Sequence, residues 1–214
     1  MRRLLVINPN SNEEVTANIA RILKPWHATG LSISCITNSS GPDTIASDED
    51  VQAVAEDVSC IVAASSADAI LIACFSDPGV DAIRRVDARP ILGIQEAGIL
   101  AALARAEKFG VIGLSNRAVA RHLKRIERIG FMSRCAGEIG LSGFGALEVG
   151  RSDQAYEEAL AAVAILKSKG AGAVVLGCAG FGPRRKQLAD ESGVIVIDPV
   201  VAGAALAASF LVGE

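Results

Sequence analysis

Two cysteines stand where an apolar run meets a polar turn. The first run, I-L-I-A-C-F-S-D-P-G at residues 70–79, reaches Cys74 and turns through Ser76, Asp77, Pro78 and Gly79. The second, A-V-V-L-G-C-A-G-F-G at residues 173–182, ends the same way on Cys178. A thiolate is a base and a thiol an acid, and the ordinary thiol pKa of about 8.5 is readily lowered by helix N-termini and hydrogen-bond donors. Two such groups on opposite faces of one carbon can take a proton from one face and return one to the other. Inversion of a stereocentre by this route requires no metal and no organic cofactor. Helix starts after Asn10, Ser76 and Gly180 would supply backbone N–H groups to hold a carboxylate or imide and to stabilise enolate-like charge.

The remaining chemistry-bearing residues are fewer. The five cysteines (35, 60, 74, 135 and 178) are odd in number and widely spaced, and the histidines are His27 and His122 alone. No C-x-x-C pair is present, so neither a zinc site nor a disulfide framework is expected. Cys35 and Cys60 read as core residues and Cys135 as structural. Asp77 suits either a substrate N–H or the cap of a short helix starting near Gly79, and Glu96 suits the orientation of a turn. The first strand is not followed by G-x-G-x-x-G, and no G-x-x-x-x-G-K-[ST] occurs, which argues against dinucleotides and nucleoside triphosphates.

The elements that must position the two cysteines follow from apolar patterning. Leu4 to Ile7 is a strand stopped by Asn8-Pro9-Asn10-Ser11-Asn12, and Ser11 or Asn12 caps the next helix with Glu13 and Glu14 in its first turn. Pro25 ends that helix. Leu31 to Thr37, Ala69 to Ala73 and Pro90 to Gly93 read as strands. Asp48 to Ser65 is a helix with apolar positions at Val51, Val54, Val58 and Ile61; Gly79 to Arg85 is a short one and Glu96 to Lys108 an alanine-rich one. The pattern then restarts. Gly110 to Leu114 runs into Ser115-Asn116, Arg117 to Ile129 is helical, residues 131–151 hold a strand near Ala136 to Leu141 within a glycine-rich loop, and Ser152 to Ser168 is a capped helix. Strands at Ala173 to Leu176 and Val194 to Ile197 and a helix over Val201 to Leu211 close the chain.

Strands alternating with helices predict an α/β fold with mostly parallel sheets. Asn8 precedes Cys74 by 66 residues and Ser115 precedes Cys178 by 63. That faint repeat predicts two pseudo-symmetric flavodoxin-like lobes, 1–97 and 98–199, with residues 200–214 returning to the first. In parallel sheets ligands bind outside the carboxyl ends of the strands, where Asn8, Cys74, Ser115 and Cys178 all fall.

Composition agrees. The 214 residues are 50 % hydrophobic but only 4 % aromatic, so alanine and glycine do much of the close packing. The net charge of -3 gives no basic field for nucleic acid. The basic cluster R-H-L-K-R-I-E-R at 121–128 reads as a solvated helix face. No apolar stretch reaches the roughly 18 residues of a membrane span, and M-R-R-L-L-V-I-N-P-N lacks the cleavage site of a signal peptide. A cytoplasmic protein with reduced thiols and a tendency to self-associate is expected.

The residues V-I-N-P-N at 6–10, A-C-F-S-D-P-G at 73–79, P-I-L-G-I-Q-E-A at 90–97, V-L-G-C-A-G at 175–180 and V-I-D-P-V at 196–200 resemble, nearly end to end, the aspartate/glutamate/hydantoin racemase superfamily, and within it the hydantoin and allantoin racemases. The resemblance implies two α/β lobes, a cofactor-independent cysteine pair at Cys74 and Cys178, a small-molecule substrate, and a homo-oligomer. It places substrate contacts at Asn8, Pro9 and Asn10, at Phe75, Ser76 and Asp77, at Ser115 and Asn116, and at Ala179 and Gly180. The chain departs from the common pattern at Ser76, where glycine is frequent, and at I-G-L-S-N, residues 112–116, where a threonine-rich phrase is common. A 5-substituted hydantoin is the expected substrate and allantoin its rival. Free aspartate or glutamate fits less well, because the C-N-T and C-T-H phrases of the amino-acid racemases are missing. Arylmalonate-type decarboxylases keep one cysteine of the pair and maleate-type isomerases use two, so both remain as competing reaction classes, and a non-catalytic binding module remains as a third.

Overall fold

The structure is a computed structural model and describes residues 2–211. The chain forms two compact units, Met1–Ala97 with Val200–Glu214, and Gly98–Pro199. In chain order the elements are β1 (Arg3–Asn8), α1 (Glu13–Leu23), β2 (Ser32–Thr37), α2 (Asp48–Ala64), β3 (Ala69–Ile72), α3 (Val80–Ile83), β4 (Ile91–Gly93), α4 (Ile94–Leu103), β5 (Phe109–Gly113), α5 (Asn116–Arg128), β6 (Cys135–Gly140), α6 (Asp153–Ser168), β7 (Ala173–Leu176), α7 (Arg185–Ser192), β8 (Ile195–Ile197) and α8 (Pro199–Leu211). As the alternating pattern predicts, the fold is α/β, and both sheets are wholly parallel.

The two sheets have equivalent strand orders, β2-β1-β3-β4 and β6-β5-β7-β8. In each, the chain leaves the first strand in one direction and returns on its other side. The switch point therefore lies between β1 and β3 in the first unit and between β5 and β7 in the second. Crevices at such points are where open α/β sheets bind ligands. The central strands are apolar throughout because both faces are covered. Leu4, Val6, Ile7, Ala69, Ile70, Leu71 and Ile72 are fully buried, as are Val111, Ile112, Ala173, Val174 and Val175.

Local chemistry sets the helix starts. Asn12, not Ser11, caps α1 by accepting from the N–H groups of Glu14 and Val15. Ser47 and Asp50 form a capping box on α2, and Ser152 caps α6. Helix α8 belongs to the first unit, where Gly203 lies directly against Leu71 of β3.

Three sequence readings are corrected, and one helix is added. Helix α4 starts at Ile94, not Glu96, and stops at Leu103. Cys60 is exposed, because the buried stripe of α2 is Val54, Val58 and Val62 and residue 60 lies on the opposite side. In the basic cluster of α5, His122 and Arg125 are buried, while Lys124, Glu127 and Arg128 are solvated as expected. A 3-10 turn at Ala179–Arg184 leads into α7, a helix with Leu188 as its buried residue.

Candidate active site

The structure gathers the predicted residues as two sets, one in each unit. In the first, Asn8 closes β1 and Cys74 follows β3 on the neighbouring strand, with Ile7 registered against Ile72. The Ala73 N–H donates to the Ile7 carbonyl at 2.8 Å, which fixes how the Cys74 turn leaves the sheet. In the second, Ser115 follows β5 and Cys178 follows β7, with Ile112 registered against Leu176. The Gly177 N–H donates to the Ile112 carbonyl at 2.7 Å, the same contact in the same place. Each unit thus sets one partly buried thiol beside one polar turn at its switch point.

The polar side chains divide by whether their hydrogen-bonding groups are already committed. Asn8, 1 % exposed, brackets its own turn. Its Nδ2 donates to Asn10 Oδ1 at 2.8 Å, to the Asn12 carbonyl at 3.1 Å and to Thr16 Oγ1 at 3.0 Å, and its Oδ1 accepts from the Asn10 N–H at 3.3 Å. Asn8 therefore shapes the turn from within. Asn10 uses Oδ1 the same way, accepting also from the Asn12 N–H, but its Nδ2 has no hydrogen-bond partner among the described residues. Asn38 was not legible as a site residue. Its Nδ2 donates to the Pro9 carbonyl at 3.2 Å and to Asp57 Oδ2 at 2.9 Å, clamping the turn from the side. Its only sequence signal is a polar residue closing a strand.

Asp77 caps a helix, but not the one expected. Its backbone sits at φ 46, and its carboxylate accepts the N–H groups of Gln95 at 3.0 Å and Glu96 at 3.3 Å, at the start of α4. A Cβ on Gly93 would run into that carboxyl group, so glycine is what lets it dock. Glu96 pairs with Arg84 at 2.8 Å. Asp77→Ala removes the cap and leaves alanine in a left-handed conformation. It is expected to cost about 2–3 kcal/mol, or roughly 5–10 °C in Tm, whereas Asp77→Asn retains most of the stability. Thermal unfolding of both variants checks this, and an alanine variant as stable as the parent refutes the capping role.

Around Cys178 the constraints are glycines. Gly177 brings its Cα against β5, where a Cβ would lie 2.6 Å from the Ile112 carbonyl oxygen. A Cβ on Gly180 would collide with the Ala146 carbonyl oxygen. The Gly180 N–H donates to Cys178 Sγ at 3.3 Å. That bond favours the thiolate, yet burial outweighs it and pushes the Cys178 thiol up to about 11. The sequence expectation of a lowered thiol is reversed here, because burial of the sulfur could not be read from neighbouring residue types. Burial alone pushes Cys35 up to about 11 as well.

Ser115 and Asn116 differ from Asn8 and Asp77. Ser115 is the N-cap residue of α5, but its hydroxyl makes no cap bond, and neither side chain is committed to another described residue. The turn is held by its backbone: Ser115 bridges Ser142, the Phe144 N–H donates to the Leu114 carbonyl at 3.3 Å, and a Cβ on Gly140 would strike Ser115 and Asn116. Ser115 and Asn116 are therefore available to a ligand. Phe75, Ala179 and Gly180 are buried and contribute backbone and packing, while Ser76 is half-buried. Among the described residues no cluster of three or more His, Cys, Asp or Glu is placed to hold a metal ion, and no helix is long and apolar enough to cross a membrane.

Comparison with known proteins agrees with this architecture. The family model for Asp/Glu/Hydantoin racemase matches residues 4–207. A hydantoin racemase of Paenarthrobacter aurescens is 37 % identical over 98 % of this chain and 91 % of its own length. The allantoin racemase of Klebsiella pneumoniae superposes with a TM-score of 0.90 at 28 % identity, over 99 % of this chain and 88 % of that one. The allantoin racemase of Pseudomonas fluorescens gives 0.91 at 25 % identity, over 98 % and 90 %. A match over nearly the whole chain, joined to two sheets of the same order each ending in a cysteine beside a polar turn, leaves one assignment: the chain belongs to the Asp/Glu/hydantoin racemase family and is a racemase, an isomerase by reaction class.

Proposed function

We propose that the protein inverts the C5 stereocentre of 5-substituted hydantoins without a cofactor, with Cys74 and Cys178 as the two acid/base groups. One thiolate takes the C5 proton and the other thiol returns a proton to the opposite face, with the roles exchanged for the other enantiomer. The ring carbonyl next to the C–H supplies its acidity, and backbone N–H groups at the cysteine turns receive the charge that develops on its oxygen. The observation that carries this reading is the equivalence of Cys74 and Cys178, each following the strand beside its unit's switch point. The 37 % identical hydantoin racemase supports the substrate class. A mechanism that needs both thiols reduced also favours the cytoplasm.

Allantoin is the second reading. Its ureido substituent calls for polar partners, and the uncommitted Ser115 and Asn116 side chains and Asn10 Nδ2 would serve. Proton NMR in D₂O separates the two. One enantiomer of 5-benzylhydantoin and one of allantoin are each incubated with the protein beside a no-enzyme control. Enzyme-dependent loss of the C5 proton signal of the hydantoin, with optical rotation falling to zero, is expected. Exchange of allantoin alone transfers the assignment to allantoin, and no exchange above the spontaneous rate for either compound rejects both.

A further inference from the structure

The buried face of α5 carries a polar pair that the chemistry above does not use. His122 Nδ1 lies 2.7 Å from Glu138 Oε1, with the two side chains 5 % and 0 % exposed. Helix α5 contributes His122 and the edge strand β6 contributes Glu138, so the pair joins a helix to the strand beneath it. Glu138 Oε2 is also buried and has no hydrogen-bond partner among the described residues. Two carboxyl oxygens with one hydrogen bond between them are an expensive way to fill a helix–sheet interface, where a leucine would serve.

The position of the carboxylate explains what the pair holds. Oε1 stands 2.6 Å from where a Cβ of Gly113 would be, and the Ser115 carbonyl oxygen stands 3.7 Å from the same point. The carboxylate therefore lies over the last residue of β5, at the turn where the chain passes into Ser115 and Asn116. Gly140, two residues along β6 and so on the same face as Glu138, is the residue on which that turn rests. His122 fixes α5 from the other end of the hydrogen bond, two turns into the helix that Ser115 and Asn116 begin.

We propose that the His122–Glu138 pair is a positioning element that sets the Ser115–Asn116 turn and thereby how tightly this unit holds the substrate. The inference rests on the reading of Ser115 and Asn116 as substrate contacts. The pair exchanges no proton with the substrate. It makes the turn rigid, so that two uncommitted side chains are presented without an ordering cost at binding.

The test is steady-state racemisation by the full chain together with hydrogen exchange of its backbone amides. Glu138→Ala and His122→Leu are expected to raise KM about five- to tenfold with kcat within about twofold, as loss of uniform binding requires. His122→Asn is expected to stay near the parent value, since its Nδ2 can stand where Nδ1 stood. Amides of residues 114–118 are expected to exchange faster in Glu138→Ala, while those of β7 keep their protection. KM within twofold for both disruptive variants, with residues 114–118 as protected as in the parent, overturns the proposal. So does a parallel loss of kcat and of β7 protection, which makes the pair a support of the whole unit. If Glu138→Ala gives no folded protein, Glu138→Gln, which keeps the shape, is judged on the same readouts. A parent protein that turns over neither hydantoin nor allantoin refutes the functional reading instead, and the exchange rates of residues 114–118 then decide the role of the pair alone.

Discussion

Cys74→Ser and Cys178→Ser are each expected to lower racemisation by about a thousandfold or more, because a serine hydroxyl is too weak an acid to supply the missing base and general acid–base groups contribute factors of roughly 10²–10⁴. What survives is the more telling result. A protein with one thiol left still has a base on one face of the substrate. It is expected to deuterate C5 of one enantiomer slowly in D₂O without inverting it, and the two variants are expected to prefer opposite enantiomers. Circular dichroism and thermal unfolding should show both variants folded, since serine differs from cysteine by one atom. If both variants deuterate the same enantiomer, the two-base mechanism is wrong. A double variant with ordinary activity would falsify any role for the thiols.

The second large effect is on pH. With Cys178 pushed up to about 11, its thiolate is about one part in a thousand at pH 8. For the enantiomer that Cys178 deprotonates, kcat/KM is expected to climb about tenfold for each pH unit from 7 to 10, after subtraction of the spontaneous rate. A strongly basic thiolate, once formed, suits a carbon acid that is itself weak. The same shift acts on stability with the opposite consequence. A folded-state value raised above the ordinary one means that the folded state keeps its proton longer than the unfolded chain does. The stabilising contribution is whole below about pH 8.5, the ordinary value, and is lost as pH rises through about 11, with Cys35 adding to it in the same direction. Activity should therefore rise into a range where the fold weakens, and a urea midpoint measured at pH 7.5 and 10 should fall. A flat pH–rate profile between 7 and 10 would show that the bound substrate and its N–H donors stabilise the thiolate more than burial disfavours it.

What could be read from the residues depended on how local the cause was. Ala173–Leu176 was bounded correctly because a continuous apolar run between polar turns is a local signal. Asn12 was among the predicted caps for the same reason. Helix α4 was misplaced because the group that starts it, the Asp77 carboxylate, comes from 17 residues upstream and reaches Gln95 and Glu96 across the sheet end. Helix α7 gives no apolar periodicity when only Leu188 is buried. The turns that carry Asn8, Cys74, Ser115 and Cys178 were legible as turns. Whether each side chain faced inward or stayed available was not, since Asn8 and Ser115 both stand in the turn after the first strand of their unit and only Asn8 is committed to its neighbours.

The return of α8 to the first unit has a bearing on how the protein is made. Val200, Ala204 and Ala207 are fully buried and Gly203 lies on Leu71, in a unit whose other residues end at Ala97. The ribosome therefore completes residues 98–199, a continuous stretch, before it has synthesised the last helix of the unit it began first. Domains usually fold in the order of their synthesis. Here the second unit has all of its chain while the first still exposes the face of β3 that α8 covers, so the first to emerge is the last to finish. A nascent chain stalled before residue 200 would present that apolar face of β3 uncovered.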